Sequence, residues 1–543
     1  MTGIERDKEF PVVIVGAGPV GLALSNELGY RGVRHLMVDR SDGAVTFPAG
    51  EGIFSRTMEH LRRWGFADRA RFNPEFPSDL PINVLFATSF QGREIATFVS
   101  PTNGEMPRVN GDSPEGILIC PKRVLDPLLR EGALATGQAE LSYGTEMIEF
   151  QERGDHVLVH LRNEATGEVE AVRCQYLAAC DGARSAVRKQ LGIPYIGNFA
   201  QGRNFAIHFR APALRGMIER RFGRPVFQMH MVNTPHRPYL TTVNGAEEWR
   251  LSMYMEGEAD PAPEAAIAEA IGEPLDVQVL RAQPWSGHRV VAREYSSNRM
   301  FLVGDAAHLR WPKGGFGANT GIGDAVDLGW KMAAVLQGWG GPGLLPSYGI
   351  ERRPIAVRNT NEASNNRALD AMIQPDAILD DEGPDGVVAR RTLENRLHAL
   401  RLREFRTQGI QLGYRYRQSP ICVQDGSLEP PDDHMVYQPS TWPGCRAPHA
   451  WLSPGRSTLD EFGRGFVLVR SDDGGCEASF AAVARQAGIP YSELRLTQPD
   501  VQRLYERAFV LVRPDGHVAW RGDECPADAA EVLRIATGFA AGA

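Results

Sequence analysis

Short apolar runs that end in glycine punctuate this chain at three places. The first run, Val12 to Val15, leads into Gly16-Ala17-Gly18-Pro19-Val20-Gly21, a helical stretch to Tyr30 and a second run from His35 to Val38. That order predicts a βαβ unit. A second run, Tyr176 to Cys180, ends in Asp181-Gly182 and enters a helix around Val187. The third, Met300 to Val303, ends in Gly304-Asp305-Ala306-Ala307-His308; Pro312 to Gly321 follows as a glycine-rich loop, and Asp324 to Leu336 reads as an amphipathic helix. Between the second and third sites, residues 195–298 alternate polar and apolar in short runs such as Asn204 to Phe209 and Arg250 to Met255, the period of an antiparallel sheet. Residues 347–415 are helical in character. Within them Arg390 to Arg406 carries six arginines among leucines, the pattern of a solvated helix face over a core. Beyond Pro420 the texture changes to prolines and turns, and Phe466 to Arg470 and Phe509 to Arg513 flank a helix from Glu477 to Gly488. A separate small α/β unit is expected there.

These patterns give an α/β chain divided at 1–194, 195–298, 299–415 and 416–543. Its 543 residues, 43% hydrophobic and 23% charged, carry enough apolar surface for several cores and exclude a disordered or collagen-like protein. The formal net charge of -8 argues against nucleic acid as a partner. The longest apolar stretch, Pro11 to Leu24, is too short and too interrupted to cross a bilayer. The first ten residues lack the cleavage site of a secretory signal, so a cytoplasmic location is expected. Seven cysteines stand at 120, 174, 180, 422, 445, 476 and 525 without a Cys-x-x-Cys or a zinc-cage spacing, which predicts buried, reduced thiols and no metal site.

In the opening unit the first glycine allows a tight turn, the second lets a backbone approach a pyrophosphate, and the third lets helix pack on strand. The helix N-terminus supplies amides and positive dipole. Asp39 follows Gly21 by eighteen positions at the end of the second strand, where a carboxylate can take a ribose hydroxyl. Loop amides between Pro312 and Gly321 could hold a phosphate or an anionic ring edge.

Together the three motifs, Gly16/Gly18/Gly21, Asp181-Gly182 and Gly304-Asp305, resemble those of the class A flavoprotein aromatic hydroxylases, the para-hydroxybenzoate hydroxylase-like FAD monooxygenases. Within that family the likeness is to the phenol hydroxylase and 2,4-dichlorophenol 6-monooxygenase group, with related polyketide hydroxylases. Arg56 to Arg63, Leu345 to Tyr348 with Glu351 to Pro354, and Arg513 to Arg521 are similar to that group's further motifs. The resemblance implies a Rossmann-like FAD-binding domain, an inserted antiparallel sheet for substrate, and a thioredoxin-like C-terminal domain that is redox-silent without Cys-x-x-Cys. It implies hydroxylation of a phenolic or polyketide-type aromatic with NADPH or NADH and O2 through a flavin C4a-hydroperoxide, in a homodimer or higher homo-oligomer.

By the same resemblance Gly16, Gly18, Pro19 and Gly21 hold the ADP part of FAD, Asp39 the adenosine ribose and Arg40 the adenine or phosphate side. Asp181 and Gly304 line the crevice, Asp305 binds the ribityl hydroxyls, and Gly314, Gly315, Gly317, Ala318 and Asn319 supply amides to the ring. Pro312 matches the proline beside the reacting carbon, and His308 is either a proton carrier or a residue fixing the glycine turn. Two positions depart from the pattern: Lys122 stands where the family has a Gln near the flavin, and Ala49 lies in a loop where many relatives carry an Arg. For the substrate, Met229, Met231 and Tyr239 on the middle sheet and Trp285 and Trp311 beside the late motif are candidates, with core packing the competing role. A Baeyer–Villiger or epoxidising oxygenase and a redox-inactive flavin-fold binding protein are the alternative readings. No Gly-x-Ser-x-Gly elbow supports a hydrolase, and no Trp-x-Trp-x-Ile-Pro supports a halogenase.

Overall fold

A computed structural model describes residues 8–45, 47, 52–109, 111–200, 202–255, 257, 259–471 and 476–540; Ala49 lies outside them. The first apolar run becomes the strand Lys8–Val15, whose Val12, Val13 and Ile14 are wholly buried. Its side chains share one core with the helix Pro19–Tyr30 and with Met147 and Phe150 of the strand Thr145–Arg153, so it is apolar throughout, the usual state of a parallel strand. The helix Pro19–Tyr30 follows with proline in its first turn, where the missing N–H costs no hydrogen bond. Around this unit the first sheet runs Ser296–Ser297, Met300–Leu302, Val169–Ala179, Lys8–Val15, His35–Asp39, Ala139–Tyr143, and its last five strands are parallel. A hairpin, Thr145–Arg153 and His156–Asn163, hooks onto the long strand.

The second sheet has seven strands in the order Gln278–Ser286, Arg203–Arg210, Glu248–Met255, Tyr239–Thr242, Gln228–Met231, Val84–Ala87, Glu94–Phe98. The stretch 195–298 thus supplies five of them, and the other two come from far upstream. Val84–Ala87 joins by the sheet's one parallel pairing, Gln228 opposite Val84. One face packs Leu85, Ile207, Met229, Met231, Leu240 and Leu251 under the helices Leu214–Phe222 and Pro263–Ile271. The other turns Phe86 and Val84 toward the helix Pro384–Phe405 and presents Tyr239 and Tyr254 to the late glycine loop.

The helix after that loop is Phe316–Leu336, beginning eight residues before the amphipathic stretch read from the sequence because the glycine pair itself starts it. It continues through a turn into Ser347–Ala371. The C-terminal unit has a four-stranded sheet, Tyr491–Arg495, Phe466–Arg470, Phe509–Val512, Val518–Gly522, with the first pair parallel and the rest antiparallel. The helices Cys476–Gln486 and Ala529–Ala536 cover one face, where Trp330 and Trp339 of the main body also pack. No helix among the described residues is long and apolar enough to cross a membrane.

Candidate active site

The three glycine-bearing turns open onto one crevice. Lys8–Val15, Val169–Ala179 and Met300–Leu302 are neighbours and run the same way, so their carboxyl ends lie side by side, where parallel sheets take ligands. Gly16 has φ +104 and lies so close to Cys180 that a Cβ would overlap its carbonyl. A Cβ on Gly304 would touch Val20 at 3.0 Å, and one on Gly21 would overlap the carbonyl of Gly16. Gly18 differs: a Cβ there meets nothing within 4 Å. The helix Pro19–Tyr30 begins at Gly18 without a side-chain cap, so its orphan amides and positive end face that open space.

Around the crevice the acids fall into distinct roles. Asp39 accepts from the Ala17 amide at 2.7 Å and from the Ser41 amide and hydroxyl at 2.8 and 2.7 Å. It braces the turn while Oδ2 keeps a lone pair for a further donor; Arg40 beside it is exposed. Asp181 caps the helix Ala186–Gln190 through Oδ2, at 2.7 Å from the Ala186 amide, yet its Oδ1 is buried without a hydrogen-bond partner. Burial pushes this carboxyl above its ordinary range. Asp305 is exposed, its backbone carbonyl held by the Tyr195 hydroxyl at 2.7 Å.

The late loop turns on two successive left-handed residues, Gly314 at φ +76 and Gly315 at φ +74, and the helix Phe316–Leu336 starts at Gly315, again without a side-chain cap. Gly317 and Ala318 lie half-buried in its first turn, and Pro312 is exposed just ahead. Asn319 fastens the loop: Oδ1 accepts from the Phe54 amide at 2.8 Å and the Thr57 hydroxyl at 2.7 Å, and Nδ2 donates to the Gly52 and Gly315 carbonyls at 2.8 and 2.6 Å.

His308 does not reach the crevice. It is fully buried, its Nε2 lies 2.7 Å from Asp324 Oδ2, and its Nδ1 contacts the Arg310 guanidinium. Asp324 also accepts from Arg352 Nε at 2.8 Å. Burial and the Arg310 charge lower the imidazole pKa. With both ring nitrogens enclosed, His308 fixes the turn, and its reading as a proton carrier is corrected. Lys122 opens the helix Lys122–Ala135 and pairs with Asp126 at 2.6 Å.

The substrate candidates divide. Met229 and Met231 are 0% and 1% exposed in the core under the sheet, facing away from the loop, so they are packing residues. Strand alternation is the reason: their neighbour His230 takes the opposite face, stacked between Phe86 at 4.5 Å and Tyr239 at 5.3 Å. Tyr239 does face the loop, its ring 5.1 Å from Lys313 Nζ. Trp285 and Trp311 meet edge to face at 6.1 Å, in a cluster with Phe54 and Phe316. Sequence reading missed a polar group on this side: Lys313, Asn366, Arg367, Asp370 and Tyr254. Asn366, Arg367 and Asp370 share one helical face at spacings of three and four, a pattern that polar residues on a buried face could have betrayed.

The structure therefore has two uncapped helix starts, an open backbone approach at Gly18 and an orphaned buried carboxylate oxygen on one crevice, a set of donors and an acceptor that fits a dinucleotide carrying a flavin. Residues 9–363 match the FAD binding domain family, and residues 440–540 match the aromatic-ring hydroxylase C-terminal family. A putative polyketide hydroxylase of Streptomyces halstedii is 33% identical over 96% of this chain and 95% of its own. A 4-methyl-5-nitrocatechol 5-monooxygenase of a Burkholderia species is 32% identical over 96% of both chains. The solved structure of the rebeccamycin biosynthetic enzyme RebC with reduced flavin has a TM-score of 0.91 and 38% identity, covering 98% of this chain and 100% of that one. With the family's glycine turns, acids and loop all gathered at one crevice, the chain belongs to the FAD-dependent aromatic-ring hydroxylases.

Proposed function

We propose that this enzyme hydroxylates a flat, phenolic or polyketide-type aromatic, with NADPH or NADH as electron donor. The balance is ArH + O2 + NAD(P)H + H+ → ArOH + NAD(P)+ + H2O. FAD bound in the crevice supplies the two-electron redox chemistry and the activation of O2. The protein's own work is positional. Gly16, Gly18, Pro19 and Gly21 bring the first helix's amides to the pyrophosphate, Asp39 takes the adenosine ribose through the free lone pair on Oδ2, and Arg40 lies on the adenine side. The orphaned Oδ1 of Asp181 and the exposed carboxylate of Asp305 offer acceptors to the nucleotide and ribityl hydroxyls. Amides from Gly314 to Ala318 meet the ring edge at the uncapped helix start, where negative charge is stabilised. Pro312 lies at the reacting face, and Tyr239, Trp285 and Trp311 form an apolar wall that excludes water from it.

The observation that carries the reading is the meeting of the three strand ends with this aromatic wall on the far side of the loop. The relatives named for polyketide and nitrocatechol substrates support the substrate class. The C-terminal unit's βα-β then ββ-α order supports a thioredoxin-like domain, and the burial of Cys422, Cys445 and Cys476, with Cys525 exposed and apart from them in sequence, supports a redox-silent one. Anaerobic stopped-flow reduction of the FAD-loaded protein by NADPH and by NADH, with and without a panel of phenols and phenolic polyketides, tests the reading. Faster flavin reduction with one compound, and a product one oxygen heavier once O2 is admitted, is the expected result. Reduction unaffected by every compound, with FAD fully bound, would sink it.

A further inference from the structure

One face of the helix Ser347–Ala371 carries Ala363, Asn366, Arg367 and Asp370, and it looks across to the late loop. Asp370 is the hub. It accepts from Lys313 Nζ at 2.7 Å and the Tyr254 hydroxyl at 2.7 Å, and it pairs with Arg401, which reaches Glu404 at 2.6 Å as well. Arg401 is one of the six arginines that the sequence assigns to a solvated face, yet it is 1% exposed here. Three cations, Lys313, Arg367 and Arg401, thus face two acids, Asp370 and Glu404. Arg237 adds a fourth, donating to the Ile373 carbonyl at 2.9 Å with its guanidinium 5.6 Å from the Tyr254 ring. His230, close by, is kept neutral by burial and by the charges of Arg401 and Lys313.

Arg237 and Arg367 have no carboxylate partner among the described residues, but Arg237 donates to backbone carbonyls, whereas Arg367 has neither a counter-ion nor a carbonyl to donate to. Its guanidinium lies over two rings, 4.3 Å from the centroid of Tyr254 and 5.2 Å from that of Trp311. Such cation–ring contacts engage the charge of the group and use none of its N–H donors. Its Nε is buried and unpartnered. Next to it Asn366 is 0% exposed with neither Oδ1 nor Nδ2 hydrogen-bonded, and a Cβ built on Gly314 would lie 3.0 Å from that Nδ2. Buried amides and guanidinium donors go unpaired only at considerable cost. Here both adjoin the loop at which, on the reading above, the aromatic ring reacts.

We infer that Arg367 anchors an anionic oxygen carried by the aromatic substrate, a carboxylate, with Asn366 hydrogen-bonding a neighbouring polar group of the same molecule. The planar fork of Arg367 matches a carboxylate in the plane of a fused ring, and the rings of Tyr254 and Trp311 hold that fork still. The excess positive charge then selects acids over their neutral esters. The inference rests on the hydroxylase reading for the position of the ring, but its test does not require turnover.

The FAD-loaded protein is titrated with salicylate, 3-hydroxy-2-naphthoate and a hydroxyanthracene carboxylate, each against its methyl ester, and binding is followed by the change in the visible flavin spectrum. For the best-fitting pair the acid binds about tenfold or more tighter than the ester. Arg367→Met weakens the acid by about the same factor and leaves the ester within about twofold, while Arg367→Lys recovers part of the loss. An ester that tightens only as its phenol ionises would identify the anionic oxygen as a phenolate and overturn the carboxylate assignment. Equal binding of acid and ester, equal weakening of both by Arg367→Met, or no binding by any acid overturns the inference. If Arg367→Met fails to retain FAD, the acid-to-ester ratio of the unaltered protein and the Arg367→Lys titration decide. Hydroxylation confined to neutral phenols would defeat the anchor and leave the hydroxylase reading standing; tight acid binding without any hydroxylated product would do the reverse.

Discussion

At the scale of single residues, the two glycines of the first turn separate folding from cofactor binding. Gly16 is hemmed in by the protein itself, at a φ of +104 and against the Cys180 carbonyl. Gly16→Ala is therefore expected to lower stability by about 1–3 kcal/mol even without FAD, seen as a lower melting temperature of the apoprotein. Gly18 has no protein atom near its Cβ position. Gly18→Val should leave the apoprotein's melting temperature unchanged and reduce FAD affinity by about tenfold or more, read from the flavin absorbance retained on purification. If both variants melted early, the open approach at Gly18 would have no bearing on the cofactor. A third position tests the corrected packing role: Met229→Ala should cost about 2–5 kcal/mol through the cavity it leaves, with the affinity of bound aromatics unaltered.

At the scale of elements, much was legible because the signals are local. A glycine turn between an apolar run and a helix specifies strand, turn and helix together, and all three such places form as the sequence suggests. The helix after Gly315 was read eight residues short because glycines lower helix propensity, yet a left-handed pair is what lets the chain turn into it. The sheet strands were visible by alternation, but alternation alone does not say which face meets the core. Met229 and Met231 fall on one face and His230 with Tyr239 on the other, and only the covering helices decide between them. The polar set on the helix Ser347–Ala371 was illegible for a different reason. Its meaning comes from Lys313, Tyr254 and Arg401, which arrive from three other elements.

At the scale of the whole molecule, the C-terminal unit is tied to the helix that begins at the late loop. Arg513 donates to Glu351 at 2.6 Å, Asp515 at 2.8 Å and Asp327 at 3.2 Å, and Lys331 joins Asp327 and Glu351, all in the interior. Arg513→Ala strips the charge from that knot and should destabilise the protein by about 3–5 kcal/mol, measured by denaturant unfolding. A second tie, Glu59 with Arg446 at 2.5 Å and Arg56 at 2.6 Å, joins the helix Ser55–Trp64 to the same unit. Burial alone would raise the Glu59 carboxyl, but the two guanidinium groups overcome it and hold the pKa at about 2, below its ordinary 4.5. The native state thus binds fewer protons here than the unfolded chain. This contribution is present above about pH 4.5 and is lost as pH falls toward 2. Melting temperatures across that window should fall less steeply for Glu59→Gln than for the parent, and equal slopes would show that the pair adds nothing.

The parallel pairing of Val84–Ala87 with Gln228–Met231 also bears on how the chain is made. Gln228 sits opposite Val84, so the earlier strand emerges from the ribosome 144 residues ahead of its partner. At a synthesis rate of about 5–20 residues per second, the apolar hairpin Val84–Phe98 spends on the order of ten seconds with an open edge. The flavin crevice waits longer still, since its third turn at Gly304 follows Gly16 by 288 residues. A nascent chain of this enzyme therefore needs protection of one exposed strand before it has any place to put its cofactor.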